Sequence, residues 1–114
     1  MTMEALFVGV PVVDLGAATP WYERLFGRPA DVVPNEHEVM WRVAGDGWLY
    51  VIEDAKRAGH AIVAVSVDDL DQFVAGLGAR GITPGPTEAV GDAGRKAVTS
   101  DPEGNVIGWI EVAG

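Results

Sequence analysis

Histidine, carboxylate and arginine side chains could carry acid/base chemistry or bind a metal ion, but this sequence gives them no recognisable spacing. The chain has two histidines and no cysteine, which excludes disulfides, thiolate metal sites and a Cys/His catalytic pair. His37 lies in the polar stretch 34–38, which is typical of a surface turn. There is no Ser/His/Asp set, phosphate-binding loop or dinucleotide glycine motif. The sequence therefore predicts no conventional catalytic site.

Aromatic residues offer a different chemistry, the stacking of flat rings on a ligand. Trp48 and Tyr50 alternate with Leu49 and Val51, so both rings belong to one face of a predicted strand. There they could stack on a planar ligand while the indole N–H and phenol O–H orient it, or they could simply fill space. Four other aromatic residues are expected in the core instead: Tyr22, Phe26, Phe73 and Trp109.

Two similar series of elements must position these residues. The first reads as a strand at 7–13, a helix closed by Gly27, and extended pieces at 31–33, 39–43 and 48–53. The second reads as a strand at 61–67, a helix capped by Asp69 and ending within 78–81, and extended pieces at 86–90, 96–99 and 106–112. Pro20 is expected in the first turn of its helix, with Thr19 as the cap, or at a kink. The repeated order βαβββ indicates an internal duplication.

The first strand of each half predicts which face of its sheet meets the helices. Bulky valines share one face and are expected under the helices: Val8, Val10 and Val12 in the first half, and Val63, Val65 and Val67 in the second. Smaller residues occupy much of the other face. They leave room for a ligand in a concavity, or else allow another sheet to pack closely.

Composition limits the class of protein and its partners. The 114 residues are 48% apolar and 22% charged, which predicts one globular domain. A net charge of -9 would repel phosphate backbones and anionic lipid, so neither nucleic acid nor a membrane is an expected partner. No basic segment followed by a long apolar stretch begins the chain, and the expected location is the cytoplasm.

Three motifs, taken in order and with their spacing, resemble the vicinal oxygen chelate superfamily, which contains glyoxalase I, extradiol dioxygenases, and bleomycin and fosfomycin resistance proteins. The motifs are VPVVDL at 10–15 leading to WYERLFG at 21–27, VSVDDLD at 65–71, and DPEGNVI at 101–107. The resemblance implies an α+β fold in which two βαβββ modules form a curled mixed sheet around a cup. Within a single domain spanning 1–114, it places module one at about 5–53, a linker at 54–59 and module two at about 60–112. It also implies a homodimer.

Metal-dependent members of that superfamily carry His, Gln or Glu ligands at four positions, which fall here on Phe7, Tyr50, Ile62 and Gly108. None of these four is a competent ligand for a divalent ion, because two are apolar, one lacks a side chain and a neutral tyrosine binds poorly. The resemblance therefore implies a chain without the family's metal, and no other cofactor is expected.

Other polar residues could form a metal site only at positions displaced from the four family positions. His60 precedes Ile62 by two positions and shares its strand face if the strand extends that far. Glu53 and Glu111 close their strands and are expected to be solvated strand ends.

The leading interpretation is a metal-free small-molecule-binding protein of the bleomycin-resistance type, which sequesters an aromatic or amphiphilic compound such as an antibiotic. Its predicted ligand-binding residues are Phe7, Trp48, Tyr50, Ile62 and Gly108. The alternative is an enzyme of the superfamily, a lyase, isomerase or dioxygenase, with a displaced metal site or with metal-independent chemistry at Tyr50, His60 or Arg95. A third alternative is a degenerate regulatory or assembly module. The sequence leaves open the ligand's identity, whether catalysis occurs, which surface forms the dimer, and whether one chain or two build the cup.

Overall fold

Two four-stranded mixed sheets, each carrying one helix, make up the computed structural model, which describes residues 1–114. The first module comprises β1 (Leu6–Val12), α1 (Leu15–Phe26), β2 (Val32–Asn35), β3 (Glu38–Ala44) and β4 (Gly47–Glu53). The second comprises β5 (Ile62–Ser66), α2 (Leu70–Ala79), β6 (Glu88–Ala89), β7 (Gly94–Ser100) and β8 (Val106–Val112). The strand orders are β1-β4-β3-β2 and β5-β8-β7-β6, with β1/β4 and β5/β8 parallel and the other pairs antiparallel. The predicted α+β fold of two βαβββ modules is confirmed.

Both helices begin at an aspartate that follows the first strand of its module. The Asp14 carboxylate accepts a hydrogen bond from the Ala17 N–H at 3.1 Å, and the Asp69 carboxylate accepts one from the Gln72 N–H at 3.0 Å. The first alternative for Pro20, a place in the first turn, is therefore wrong, because α1 starts at Leu15 and Pro20 lies inside it, whereas the alternative of a kink stays a prediction. Thr19 is not the cap either, since its hydroxyl donates to the Leu15 carbonyl one turn earlier.

The helix-facing sides of both sheets, together with the helices, build one hydrophobic core. The predicted valine faces are found there, with Val10 and Val12 fully buried and Val63 nearly so. Eighteen buried residues form this cluster, and both modules contribute to it. Aromatic rings cross the boundary between the modules, since Phe26 of α1 meets Trp109 of β8 edge to face with ring centroids 6.4 Å apart. Core packing thus joins the two modules and leaves the opposite face of each sheet uncovered by helices.

A buried carboxylate fixes how the modules meet. Asp101, in the turn before β8, is 4% exposed and accepts the Tyr22 hydroxyl of α1 at 2.8 Å. Its other partners are the Glu103 N–H and both the backbone N–H and the side-chain amide of Asn105. Burial, and then the charge of Asp101, raises the pKa of Tyr22 far above its ordinary value, so the phenol remains a donor.

Asn105 extends this network into the first strand of each module. Its amide nitrogen donates to the Pro11 carbonyl of β1 at 2.9 Å, and its amide oxygen accepts the Ala61 N–H beside β5 at 2.9 Å. Next to it, the Glu103 carboxylate accepts the N–H groups of Val13 and Asp14. The DPEGN turn is therefore the connector between the modules as well as the turn between β7 and β8.

Replacing Asn105 by alanine should lower the free energy of unfolding by at least about 2 kcal/mol, because part-buried backbone groups at Pro11 and Ala61 and the buried Asp101 carboxylate each lose a hydrogen-bond partner. Asn35→Ala is the matched control. That asparagine is the only other one in the chain and is exposed, so its loss should cost less than about 1 kcal/mol. Urea unfolding followed by circular dichroism measures both. Equal losses for the two variants would contradict the role assigned to Asn105.

Candidate functional site

The uncovered face of the first sheet carries a group of aromatic rings. We call it the first open face, and it includes Phe7, Gly9, Trp48 and Tyr50. Phe7 of β1 is paired with Trp48 of β4, and their rings are stacked with an interplanar angle of 16° and centroids 6.2 Å apart. Two residues further along, Gly9 is paired with Tyr50, whose ring lies over the glycine. The parallel register of β1 and β4 thus brings three aromatic side chains together.

These rings are accessible from outside the chain. Phe7 is 53% exposed, and Trp48 and Tyr50 are half-buried, because the face has no helix over it. On the neighbouring strand β3, Arg42 is opposite Trp48. Its guanidinium is held 2.7 Å from the Asp46 carboxylate in the β3–β4 turn. The aromatic rings can stack on a planar molecule, and the Arg42 guanidinium beside them can bind a polar substituent of that molecule.

The corresponding face of the second sheet, the second open face, is smoother. It includes Ile62, Ala64, Lys96 and Gly108, and Gly108 is paired with Ala64. Ile62 is 87% exposed. A side chain at position 108 would find ordinary contact distances, the nearest atom being the Val63 carbonyl oxygen at 3.6 Å. This face offers space where the first open face offers rings.

The five predicted ligand-binding residues therefore lie in two groups. The structure brings Phe7, Trp48 and Tyr50 together on the first open face, and Ile62 and Gly108 share the second. The two groups belong to different sheets, and each lies on the face of its sheet opposite the core residues.

A cleft of about 250 Å³ opens at the seam between the modules. It is lined by both sheets, through residues that include Leu6, Val8, Leu49, Val63 and Val65, and its walls are mainly apolar. Trp48 is the one predicted ligand-binding residue on its rim. The cleft therefore adjoins the first open face at the start of β1.

Neither histidine lies on an open face beside the rings. His60 is exposed, and β5 begins only at Ile62, so the strand does not extend to His60. His37, in the β2–β3 turn, is 3.1 Å from the Glu53 carboxylate and 3.3 Å from that of Glu36. The hydrogen bond to Glu53, followed by the charges of Glu36 and Glu53, raises the pKa of His37. This is a surface ion pair, as the turn predicts.

Glu111 and Arg95 have a structural role that the sequence pattern did not predict. The Glu111 carboxylate accepts the Leu70 N–H at the start of α2 and binds the Arg95 guanidinium, both at 3.0 Å. The Leu70 N–H and Arg95 lower the pKa of Glu111. The expectation that Glu111 is a solvated strand end is wrong, and Arg95 is held by Glu111 and Asp71 on the helix side of its sheet. Alternation with the core residues Ile107 and Trp109 is the signal that places Glu111 on that side.

The residues present do not fit the divalent ion of the metal-dependent superfamily members. The four corresponding positions, Phe7, Tyr50, Ile62 and Gly108, supply neither imidazole nor carboxylate. Elsewhere, no three histidine, aspartate or glutamate side chains converge in an arrangement that could hold a metal ion. The chemistry open to these faces is stacking, apolar contact and hydrogen bonding.

Paired βαβββ modules with open sheet faces define a class of proteins that build ligand sites and metal centres on one scaffold. The chain matches the model of the Glyoxalase/Bleomycin resistance protein/Dioxygenase superfamily over residues 5–108, and it belongs to that family.

Solved structures with this fold include a glyoxalase/bleomycin resistance protein from Catenulispora acidiphila, which is 36% identical, with a TM-score of 0.90 over 97% of this chain and 100% of that one. TnmS3, an antibiotic binding protein from a Streptomyces species, is 27% identical, with a TM-score of 0.79 over 98% of each chain. A bleomycin-binding protein complexed with bleomycin is 22% identical, with a TM-score of 0.77 over 98% of this chain and 100% of that one. At that identity the last comparison concerns the fold alone.

A curated relative, crotonyl-CoA carboxylase/reductase from Cereibacter sphaeroides, is 38% identical over 63 residues. The match spans 54% of this chain but only 15% of that protein. Neither α1 nor α2 is long and apolar enough to cross a membrane.

Protein prepared without chelator and then exposed to Zn²⁺, Mn²⁺, Fe²⁺ or Ni²⁺ should retain no stoichiometric ion after desalting, because the four family positions lack ligands. Elemental analysis by mass spectrometry measures the retained metal. Gly108→Glu should not create a site by itself, since one carboxylate cannot hold the ion. One tightly bound equivalent in the unmodified protein would contradict this expectation.

Proposed function

We propose that this chain is a metal-free binding protein that sequesters a planar aromatic or amphiphilic small molecule, such as an antibiotic. The observation that carries the proposal is the first open face, where Phe7 is exposed, Trp48 stacks on it and Tyr50 lies beside them, the last two half-buried. Exposed apolar rings in contiguous groups mark interaction sites, because leaving them in water is unfavourable for an isolated chain.

The chemistry of the face favours binding over catalysis. Of the three residues considered for acid/base chemistry, His60 and Arg95 lie off this face, Arg95 being paired with Glu111 and Asp71, so only Tyr50 could act on a molecule bound there. Tyr50 and the Trp48 indole can each donate a hydrogen bond to a ligand. Such a surface recognises rings and carbonyl or hydroxyl substituents, which many antibiotics carry.

The comparisons support the same function. TnmS3, at 27% identity over 98% of each chain, is an antibiotic binding protein. The bleomycin-binding protein shows that this fold can hold an antibiotic in a complex.

We further propose that the binding protein is a homodimer whose cup is built by two chains. Strands β1 and β5 are the outer strands of their sheets, and an outer strand presents unpaired backbone groups. Both begin with exposed apolar residues, Leu6 at 68% and Phe7 at 53% on β1 and Ile62 at 87% on β5. Placing β1 beside β5 of a second copy would cover these side chains. It would also set the first open face of one protomer next to the second open face of its partner.

Trp48→Ala should weaken binding of the ligand by roughly 1 to 3 kcal/mol, the scale of a lost aromatic contact in an interface. The ligand is found by thermal-shift screening of a library of aromatic antibiotics that includes bleomycin, because a compound that binds only the folded state raises its stability. Isothermal titration calorimetry and quenching of tryptophan fluorescence then measure its affinity.

Two further variants make this test specific. Trp48→Phe keeps a ring at the position and should retain most of the affinity. Gly108→Glu should also impair binding, because it fills space on the second open face. A ligand whose affinity is unchanged by Trp48→Ala and Gly108→Glu, but reduced by substitutions of Trp21 or Trp109, would overturn the assignment of the faces.

Light scattering at high micromolar concentration should give the mass of a dimer, and Ile62→Asp should shift it to that of a monomer, since a buried unpaired charge opposes association. Val33→Asp is the control. Val33 is 64% exposed on β2, at the far edge of the first sheet, and its substitution should leave the dimer intact. A monomeric unmodified protein, or equal dissociation by both variants, would rule out this interface.

A further inference from the structure

Gly9 occupies a position where the backbone does not require glycine. Its φ is not among the positive values that eight other glycines of the chain adopt. It lies within β1, where glycine weakens a strand because it loses more conformational freedom than other residues and packs nothing. Some other constraint must account for a glycine here.

The Tyr50 ring supplies that constraint. A Cβ atom at position 9 would lie 2.7 Å from both Cζ and the hydroxyl oxygen of Tyr50, closer than non-bonded atoms approach. The two residues are register partners on β1 and β4, so the ring lies across the neighbouring strand and takes the volume that a side chain at 9 would fill. Tyr50 is thereby laid on the sheet beside the Phe7–Trp48 pair.

The second module has no tyrosine at the pair equivalent to Gly9 and Tyr50. Ala64 of β5 is the register partner of Gly108 of β8, so glycine stands where the first module has tyrosine, and the atom nearest to a Cβ at position 108 is a backbone oxygen instead of a ring atom. The space left free at Gly9 is therefore specific to the module that carries the tyrosine.

We propose that Gly9 is a positioning residue of the binding site: it lets the Tyr50 ring lie against β1, so that the ring forms one surface with Phe7 and Trp48 and selects flat, fused-ring ligands. This inference rests on the proposed function. Gly9 acts through Tyr50 and makes no polar contact of its own with the ligand. A methyl group at position 9 displaces the ring outward, at little cost to folding because the ring is the free end of a flexible side chain.

Gly9→Ala tests the inference, with Gly78→Ala as the control: Gly78 lies in α2, off both open faces, and a methyl group there meets no atom within 4 Å. The readout for the ring is the nuclear Overhauser contact between the Tyr50 ring protons and the backbone protons of residue 9. The readout for binding is the affinity for anilinonaphthalene sulfonate, a fused-ring dye, titrated by fluorescence. Thermal unfolding confirms that each variant keeps its fold.

We expect Gly9→Ala to abolish the ring contact and to weaken dye binding roughly two- to tenfold, the range that one lost aromatic contact spans. Gly78→Ala should change neither the ring contact nor the affinity. In a Tyr50→Ala background, Gly9→Ala should have no further effect, because the residue acts only through the ring. This non-additivity separates positioning from a general disturbance of the strand.

Other outcomes overturn the inference, and they are distinguishable from failure of the proposed function. If the unmodified protein binds the dye and Gly9→Ala moves the ring without changing the affinity, the positioning role is wrong while the binding function stands. Equal losses of affinity in the Tyr50 and Tyr50→Ala backgrounds would also overturn the positioning role alone. If the unmodified protein binds neither the dye nor any member of the antibiotic library, the proposed function fails and this inference fails with it.

Discussion

A carboxylate buried between the modules is the constraint on which the rest of this structure depends. Removing Asp101 from water is costly unless its oxygens are fully hydrogen-bonded, and here four donors meet them. One of these donors is the Tyr22 hydroxyl of α1, and Asn105 carries the network on to β1 and to the residue before β5. Because each donor must be in place at once, the relative position of the modules is fixed.

This docking determines where the open faces point. With the modules joined at the DPEGN turn, the helices and the valine faces of both sheets meet in a single core. The other face of each sheet receives no cover from its own chain. Exposed rings on the first open face are thus a direct consequence of the way the modules are joined.

Sequence reasoning predicts the repeated βαβββ order, the valine faces and the core role of Trp109, because each depends on local alternation or on a strong cap such as Asp69. It fails where the role of a residue depends on a hydrogen-bond partner or neighbouring strand that the local pattern does not indicate. Asp14, not Thr19, starts the helix that contains Pro20, and Glu111 is bound by the first N–H of α2 and by Arg95 rather than by solvent. The place of Gly9 beneath the Tyr50 ring depends on the register between β1 and β4, which no local pattern in either strand reveals.

The two modules share one topology but present different chemistry, and the difference lies in a few side chains on the open faces. The first has a glycine on its outer strand and a tyrosine on the strand beside it, whereas the second has alanine and glycine there. If two copies of the first open face met, their aromatic rings would occupy the space that a ligand needs. If two copies of the second open face met, the small side chains would leave a void with few contacts to a ligand. In the proposed dimer, a face of rings on one protomer would lie beside a face of small residues on its partner, an arrangement complementary to a flat molecule. The side-chain differences between the two modules would then supply both the stacking surface and the space above it, two properties that identical modules could not combine.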